Sequence, residues 1–165
     1  MLTGIVVGAL SAAALFQPSD TIVQASGASR FELQSFQGRV AVSTWDRDAV
    51  QVKAEHSDSH IIQVERSGNT ISVEPDTERG LGLAHPVNFE ITVPRDFDLS
   101  IEGVMLDVVV EGVQGSVEVG TVHGPIRVTG GSGSIALASV NGTIDLTGAN
   151  GDMEISGVAG AVRVL

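Results

Sequence analysis

The 165-residue sequence has no cysteine, no tyrosine, one tryptophan (Trp45) and one lysine (Lys53). Without cysteine there is no disulfide framework and no thiolate to serve as nucleophile or metal ligand, which leaves the redox compartment open. Positive charge is scarce: nine Lys and Arg stand against twenty Asp and Glu, a formal charge of −11. Phosphate backbones and anionic headgroups are held by clustered Lys and Arg, so this charge balance disfavours nucleic acid and anionic lipid headgroups as partners. Trp45 and five phenylalanines are too few for a base-stacking platform. No apolar run reaches the roughly 20 residues of a membrane-spanning helix. No window beyond the first residues carries a helical period.

The longest uncharged stretch, Met1 to Phe16, is followed by Gln17-Pro18-Ser19-Asp20. It has the length of a secretory h-region without a basic n-region. Small residues for cleavage occur at Val23-Gln24-Ala25 and at Ala12-Ala13-Ala14. Residues 1–25 therefore read as a signal peptide or, uncleaved, as an N-terminal membrane anchor, with an ordinary buried segment as the remaining reading. Residues 26–165 read as a single β-repeat domain.

From residue 97 onward the sequence repeats every nine residues, with glycine at 115, 124, 133, 142, 151 and 160 and with Phe97 and Leu106 in the same slot of the first two units. A fixed short period marks a stacked architecture. Counted from that slot, offsets 2 and 4 are apolar in every unit, from Leu99/Ile101 through Ile135/Leu137 to Val162/Val164. Residues two apart in a strand share a face, so these pairs are expected to point inward. Offset 7 adds a third apolar residue at Val104, Val113, Val122, Val140, Ala149 and Val158, and offset 6 is a second glycine at 103, 112, 130, 148 and 157. The two glycine columns are expected to supply positive φ at tight corners. If strands alternate between two facing sheets, two units make an eighteen-residue coil. Offset 3 then stacks Arg127, Asp145 and Arg163 on one outer face, and Ser100, Glu118, Ala136 and Glu154 on the other. The expected fold is all-β: a flattened two-sheet β-solenoid of nine-residue strand-turn units over 97–165, preceded by irregular strands and a hairpin over 28–96. Leu165 stops inside a strand, so the last rung is expected to be open, available to a further segment or to self-association.

Within 28–96, alternation at Phe31–Leu33, Val40–Val42 and Val50–Ala54 predicts strands. Gly68-Asn69 between Ile62–Arg66 and Thr70–Glu74 predicts a tight hairpin. Asp46-Arg47-Asp48 reads as a turn, Pro75 to Pro86 as a loop, and Val87–Val93 as a strand ended by Pro94.

Three stretches together resemble the DUF4097 family of bacterial envelope proteins, a family usually labelled as adhesins. They are Gly38-Arg39-Val40-Ala41-Val42-x-x-Trp45-Asp46-Arg47-Asp48-x-Val50-x-Val52, Phe89-x-Ile91-x-Val93-Pro94, and the Gly-x-Val-x-Val ladder. The resemblance spans about residues 28–165. It implies an exported or surface-held β-repeat domain, with no catalytic residues to carry over. The family's ladders often continue further than this one.

Site chemistry is sparse. His56, Asp58 and His60 alternate along the chain and, on one extended strand, would share a face as His/Asp/His ligands for zinc; the competing reading is a solvated loop. Calcium-binding nonapeptide solenoids need Gly-Gly-x-Gly-x-Asp, but Asp145 and Asp152 fall at different offsets. Glu118 and Glu154, two coils apart at roughly 10 Å, are the carboxylate pair a glycan-cleaving enzyme would need, with Ala136 between them. Trp45 reads as a plug for the open end of the core or as a ligand-stacking residue. The leading expectation is a non-catalytic, exported module without cofactor, an adhesin-like surface or envelope scaffold whose partner is an envelope protein or glycan. A membrane-tethered sensor ectodomain is the alternative, and a glycan-active enzyme the third.

Overall fold

The computed structural model describes residues 17–57, 60–77 and 85–165. Every regular element among them is a strand. In chain order these are β1 (Gln17–Gln24), β2 (Arg30–Trp45), β3 (Ala49–His56), β4 (His60–Ser67), β5 (Thr70–Thr77), β6 (Asn88–Pro94) and β7 (Asp98–Glu111). The repeat section continues with β8 (Val117–His123), β9 (Ile126–Thr129), β10 (Ile135–Asn141), β11 (Ile144–Thr147), β12 (Met153–Ala159) and β13 (Val162–Val164). The chain is all-β, as its alternating valines and isoleucines require. Met1–Phe16, with the cleavage site at Ala12–Ala14 and any membrane tether, lies outside the described residues.

The nine-residue units pair at a distance of two units. β8, β10 and β12 run parallel, with Val117 opposite Ile135 and Ile135 opposite Met153. β9, β11 and β13 do the same through Ile126, Ile144 and Val162. One hydrogen bond recurs at the same point of each coil: Leu99 N–H to Ser116 O at 2.7 Å, Val117 N–H to Ser134 O at 2.8 Å, Ile135 N–H to Asp152 O at 2.8 Å. Asp145 lies opposite both Arg127 and Arg163, and its carboxylate is 3.8 Å from the Arg163 guanidinium. The charge column expected from the sequence is therefore present. At this exposure it reports register more than stability.

The two ladders do not form separate sheets. β2 and β7 are long enough to run through both, pairing in parallel from Arg30–Asp98 to Val42–Val110. Hydrogen bonding is thereby continuous through one open 13-stranded sheet. The early strands also differ from expectation. Residues 30–45 are a full rung of the stack, not an irregular prelude. β5 and β6 pair with the two halves of β2 on the side away from β7, so a later part of the chain lies outside an earlier one. β4 and β3 then run antiparallel to β5 and β6, and β1 antiparallel to β3. β1 occupies residues expected to belong to the leader. Beside it, Ala25 is fully buried and its N–H donates to Asp48 O at 3.0 Å. The Gly68-Asn69 hairpin forms as expected, with Gly68 at φ 60°.

Inward side chains of both ladders merge into one core, from Phe31, Leu33, Val40 and Val42 through Leu99, Ile101, Val108 and Val110 to Ile144 and Leu146. Each enclosed aliphatic side chain contributes roughly 1.5–3 kcal/mol. Offsets 2 and 4 are buried in every unit up to Leu146. They open in the last rung, where Met153 is 48% and Val162 and Val164 are each 49% exposed.

The glycine slot has a second cause besides the positive φ expected of it, which only some of its members show. Gly115, Gly133, Gly142 and Gly151 do not have positive φ. A Cβ at Gly133 would lie 2.6 Å from the Gly115 carbonyl carbon, and one at Gly142 would overlap the Gly124 carbonyl oxygen. The slot is glycine because each coil's backbone passes directly over that of the coil before. Positive φ occurs in both glycine columns, at Gly124 and Gly160 in the slot and at Gly112, Gly130 and Gly148 in the second column.

Candidate functional site

Offset 7 divides in two, which the sequence reading did not anticipate. Val113 is buried and Ala149 half-buried. In the alternate units Val122, Val140 and Val158 are exposed, Val158 at 80%, and Val104 is half-buried. The difference arises at the corner. On one side of the coil the offset-7 side chain turns into the core; on the other it stands outside the bend. The flanking pairs Gly103–Thr121, Thr121–Ser139 and Ser139–Gly157 set these valines one above another. Ser35 opposite Gly103 and Gln37 opposite Met105 add Phe36, 51% exposed, to the same column.

The column Phe36, Val104, Val122, Val140, Val158 lies along a surface groove of about 710 Å³. Gln34, Glu102, Gly120, Ala138 and Ser156 form a ledge beside it, and Glu74, His60 and His85 stand at the end nearest β4. Small residues keep the ledge low: a Cβ at Gly120 would meet nothing within 4 Å. Ser35 and Ser139 are 8% and 4% exposed, and among the described residues neither Oγ has a hydrogen-bond partner. The third hydroxyl of that row, Thr121, donates to His123 O at 2.9 Å. Among the described residues no lysine or arginine lines the groove. Arg30, on the neighbouring outer face, is 2.7 Å from Glu32 and 3.9 Å from Glu118. Glu74, Glu102 and Glu154 carry no ion pair among the described residues.

The metal candidates fall differently from the single strand pictured in the sequence. His56 ends β3 and His60 begins β4, so a corner separates them; Asp58 lies outside the described residues. His56 Nδ1 is 2.9 Å from Ser57 O, and His60 Nδ1 is 2.9 Å from Ser57 Oγ. His85 joins them edge-on, with ring centroids 6.2 Å from His60. Among the described residues no group of three His, Cys, Asp or Glu is placed to hold a metal ion. Burial, then His56, then His85 hold the His60 imidazole below its ordinary pKa. The folded state thus resists protonation that the unfolded chain accepts near pH 6.5. Stability is full above that value and falls as pH drops from about 6.5 through the lower folded pKa. Urea midpoints between pH 7.5 and 5 are expected to decline, and His60→Gln to flatten the decline. An unchanged slope in the variant would remove His60 as the cause.

Glu118 and Glu154 stand on opposite sides of Ala136 in register. The shallow cleft at Glu118 includes Arg30, Glu32, Ser100 and Glu102 but not Glu154. Trp45 is half-buried and does not plug the core. Its indole N–H donates to Ala49 O at 2.7 Å and the Arg47 guanidinium lies 5.1 Å over its ring, so it clamps the turn between β2 and β3.

The groove, Phe36 and His85 were missed in the sequence. A signal was present: split by eighteen, offset 7 reads Val104, Val122, Val140, Val158 in one set and Val113, Gly131, Ala149 in the other.

No family model matches the chain, and no curated protein matches it. Solved structures do. A "putative cell adhesion protein" from Clostridium sporogenes superposes with a TM-score of 0.60 at 12% identity, covering 90% of this chain and 98% of that one. Proteins named "putative adhesin" from Bacteroides fragilis and Parabacteroides distasonis each cover 90% of this chain and 97% of theirs, with TM-scores of 0.36 and 0.32 at 13% and 10% identity. At such identity the first likeness shows a shared fold alone, and the other two add no argument.

Proposed function

We propose that this chain is a non-catalytic, exported binding module, adhesin-like in use, whose ligand is a protein or glycan of the cell envelope. The observation that carries the reading is the apolar column along one edge of the stack, with Phe36, Val122, Val140 and Val158 exposed and Val104 half-buried. A contiguous apolar strip on an otherwise acidic surface marks an interaction site. The name of the Clostridium sporogenes protein with the same fold supports the adhesive use. The finer architectural reading is a β-solenoid of eighteen-residue coils, related to the DUF4097 proteins that the Trp45 turn and the ladder resemble.

The test applies fluorescent protein to intact host cells and fractionates the host for the native chain. Saturable surface binding, with the native chain outside the cytoplasm, is the expected result. A cytoplasmic chain that binds no cells would end the reading.

A further inference from the structure

We propose that the groove takes an extended polypeptide segment carrying aliphatic side chains beside lysine or arginine. The inference rests on the binding-module reading and names the partner of that site. Successive strands lie about 4.8 Å apart, so four spacings from Phe36 to Val158 span roughly 19 Å. An extended chain rising about 3.3 Å per residue covers that distance in about six residues. The strip is one side chain wide. A folded partner needs about 800 Å² on each side, far more than such a strip presents, whereas an extended segment fits it.

Polarity selects the same occupant. Ser35 and Ser139 line the groove but their hydroxyl oxygens are enclosed, so the polar groups that meet an occupant are the carboxylates. A sugar would call for flat aromatic faces, and Phe36 is the only aromatic ring in the apolar column. Charge supplies the last element. Glu74 and Glu102 line the groove, Arg30 is paired with Glu32 and Glu118, and the chain carries a formal charge of −11. Cationic side chains flanking the aliphatic ones are drawn to that rim, and anionic ones are repelled.

The test measures fluorescence anisotropy of three labelled decapeptides against the full chain: alternating Lys and Val, alternating Glu and Val, and alternating Lys and Ser. The Lys/Val peptide is expected to bind at least about tenfold more tightly than either control, and to weaken with added salt. Val122→Lys and Val140→Lys, at exposed positions, should each reduce that affinity about tenfold. Val122→Thr, nearly the same shape, should reduce it several-fold and serves where a lysine variant fails to show the parent circular dichroism. Equal affinity for Lys/Val and Glu/Val peptides would overturn the proposal, as would wild-type affinity in the valine variants. Binding to phosphatidylcholine vesicles or chito-oligosaccharides in place of peptides would overturn it too, while the adhesive reading stands. If cell binding is absent as well, both fall.

Discussion

Ile135→Asp is expected to unfold the repeat section, while Ala136→Asp leaves it folded. The two residues are neighbours on β10. Ile135 is 1% exposed and packed in the continuous core; Ala136 faces outward between Glu118 and Glu154. A carboxylate at 135 would be buried with no cation within the aliphatic stack, a loss of several kcal/mol for the buried group. Domains of this size hold only about 5–15 kcal/mol in total. Because each coil rests on the next, loss of β10 also removes the support of β12 and deprives β8 of its neighbour. At 136 the added charge meets water, and its repulsion by the two glutamates is screened, costing under about 1 kcal/mol. Circular dichroism melts of the two variants are the measurement. Similar melting of both would mean that the inward and outward faces have been assigned the wrong way round.

Gly142→Ala should cost about 1–3 kcal/mol, and Gly120→Ala nothing or a gain of about 0.5 kcal/mol. Neither glycine has a positive φ, so left-handed backbone does not enter the comparison. What separates them is the space a single methyl would occupy. At Gly142 it would overlap the carbonyl oxygen of Gly124 and lie 2.8 Å from Ser139 Oγ; at Gly120 it would meet nothing within 4 Å. The hydrogen-bonded ladders on either side hold the coil spacing, so the strain at 142 is relieved only by opening them. Urea unfolding midpoints report the difference. A Gly142→Ala variant as stable as the parent would show that the coils slide past one another at this column and that close approach is not what selects glycine there.

Much of the fold was legible in the sequence for local reasons. Alternation shows which residues share a face, and a period that never slips shows that each unit meets the same neighbours. The inward pairs from Leu99/Ile101 to Ile144/Leu146, the Arg127–Asp145–Arg163 column and the Gly68-Asn69 turn needed nothing more. The candidate site was less legible. His85 stands far along the chain from His60, and no spacing rule joins them. Phe36 could be added to the valine column only once Gly38–Val42 was recognised as a rung in its own right.

Two-residue alternation and nine-residue repetition, properties of neighbouring residues, determined by themselves the all-β class, the inward columns and the eighteen-residue pairing. The tertiary structure alone decided that β5 and β6 lie outside β2, that β2 and β7 carry the sheet unbroken around the corner, and that one set of offset-7 valines faces water. Those outcomes depend on which distant backbone comes to lie beside a given strand. A valine at a corner is the same residue on either side of the coil, and only the neighbouring rungs determine whether it is enclosed or left to form a groove.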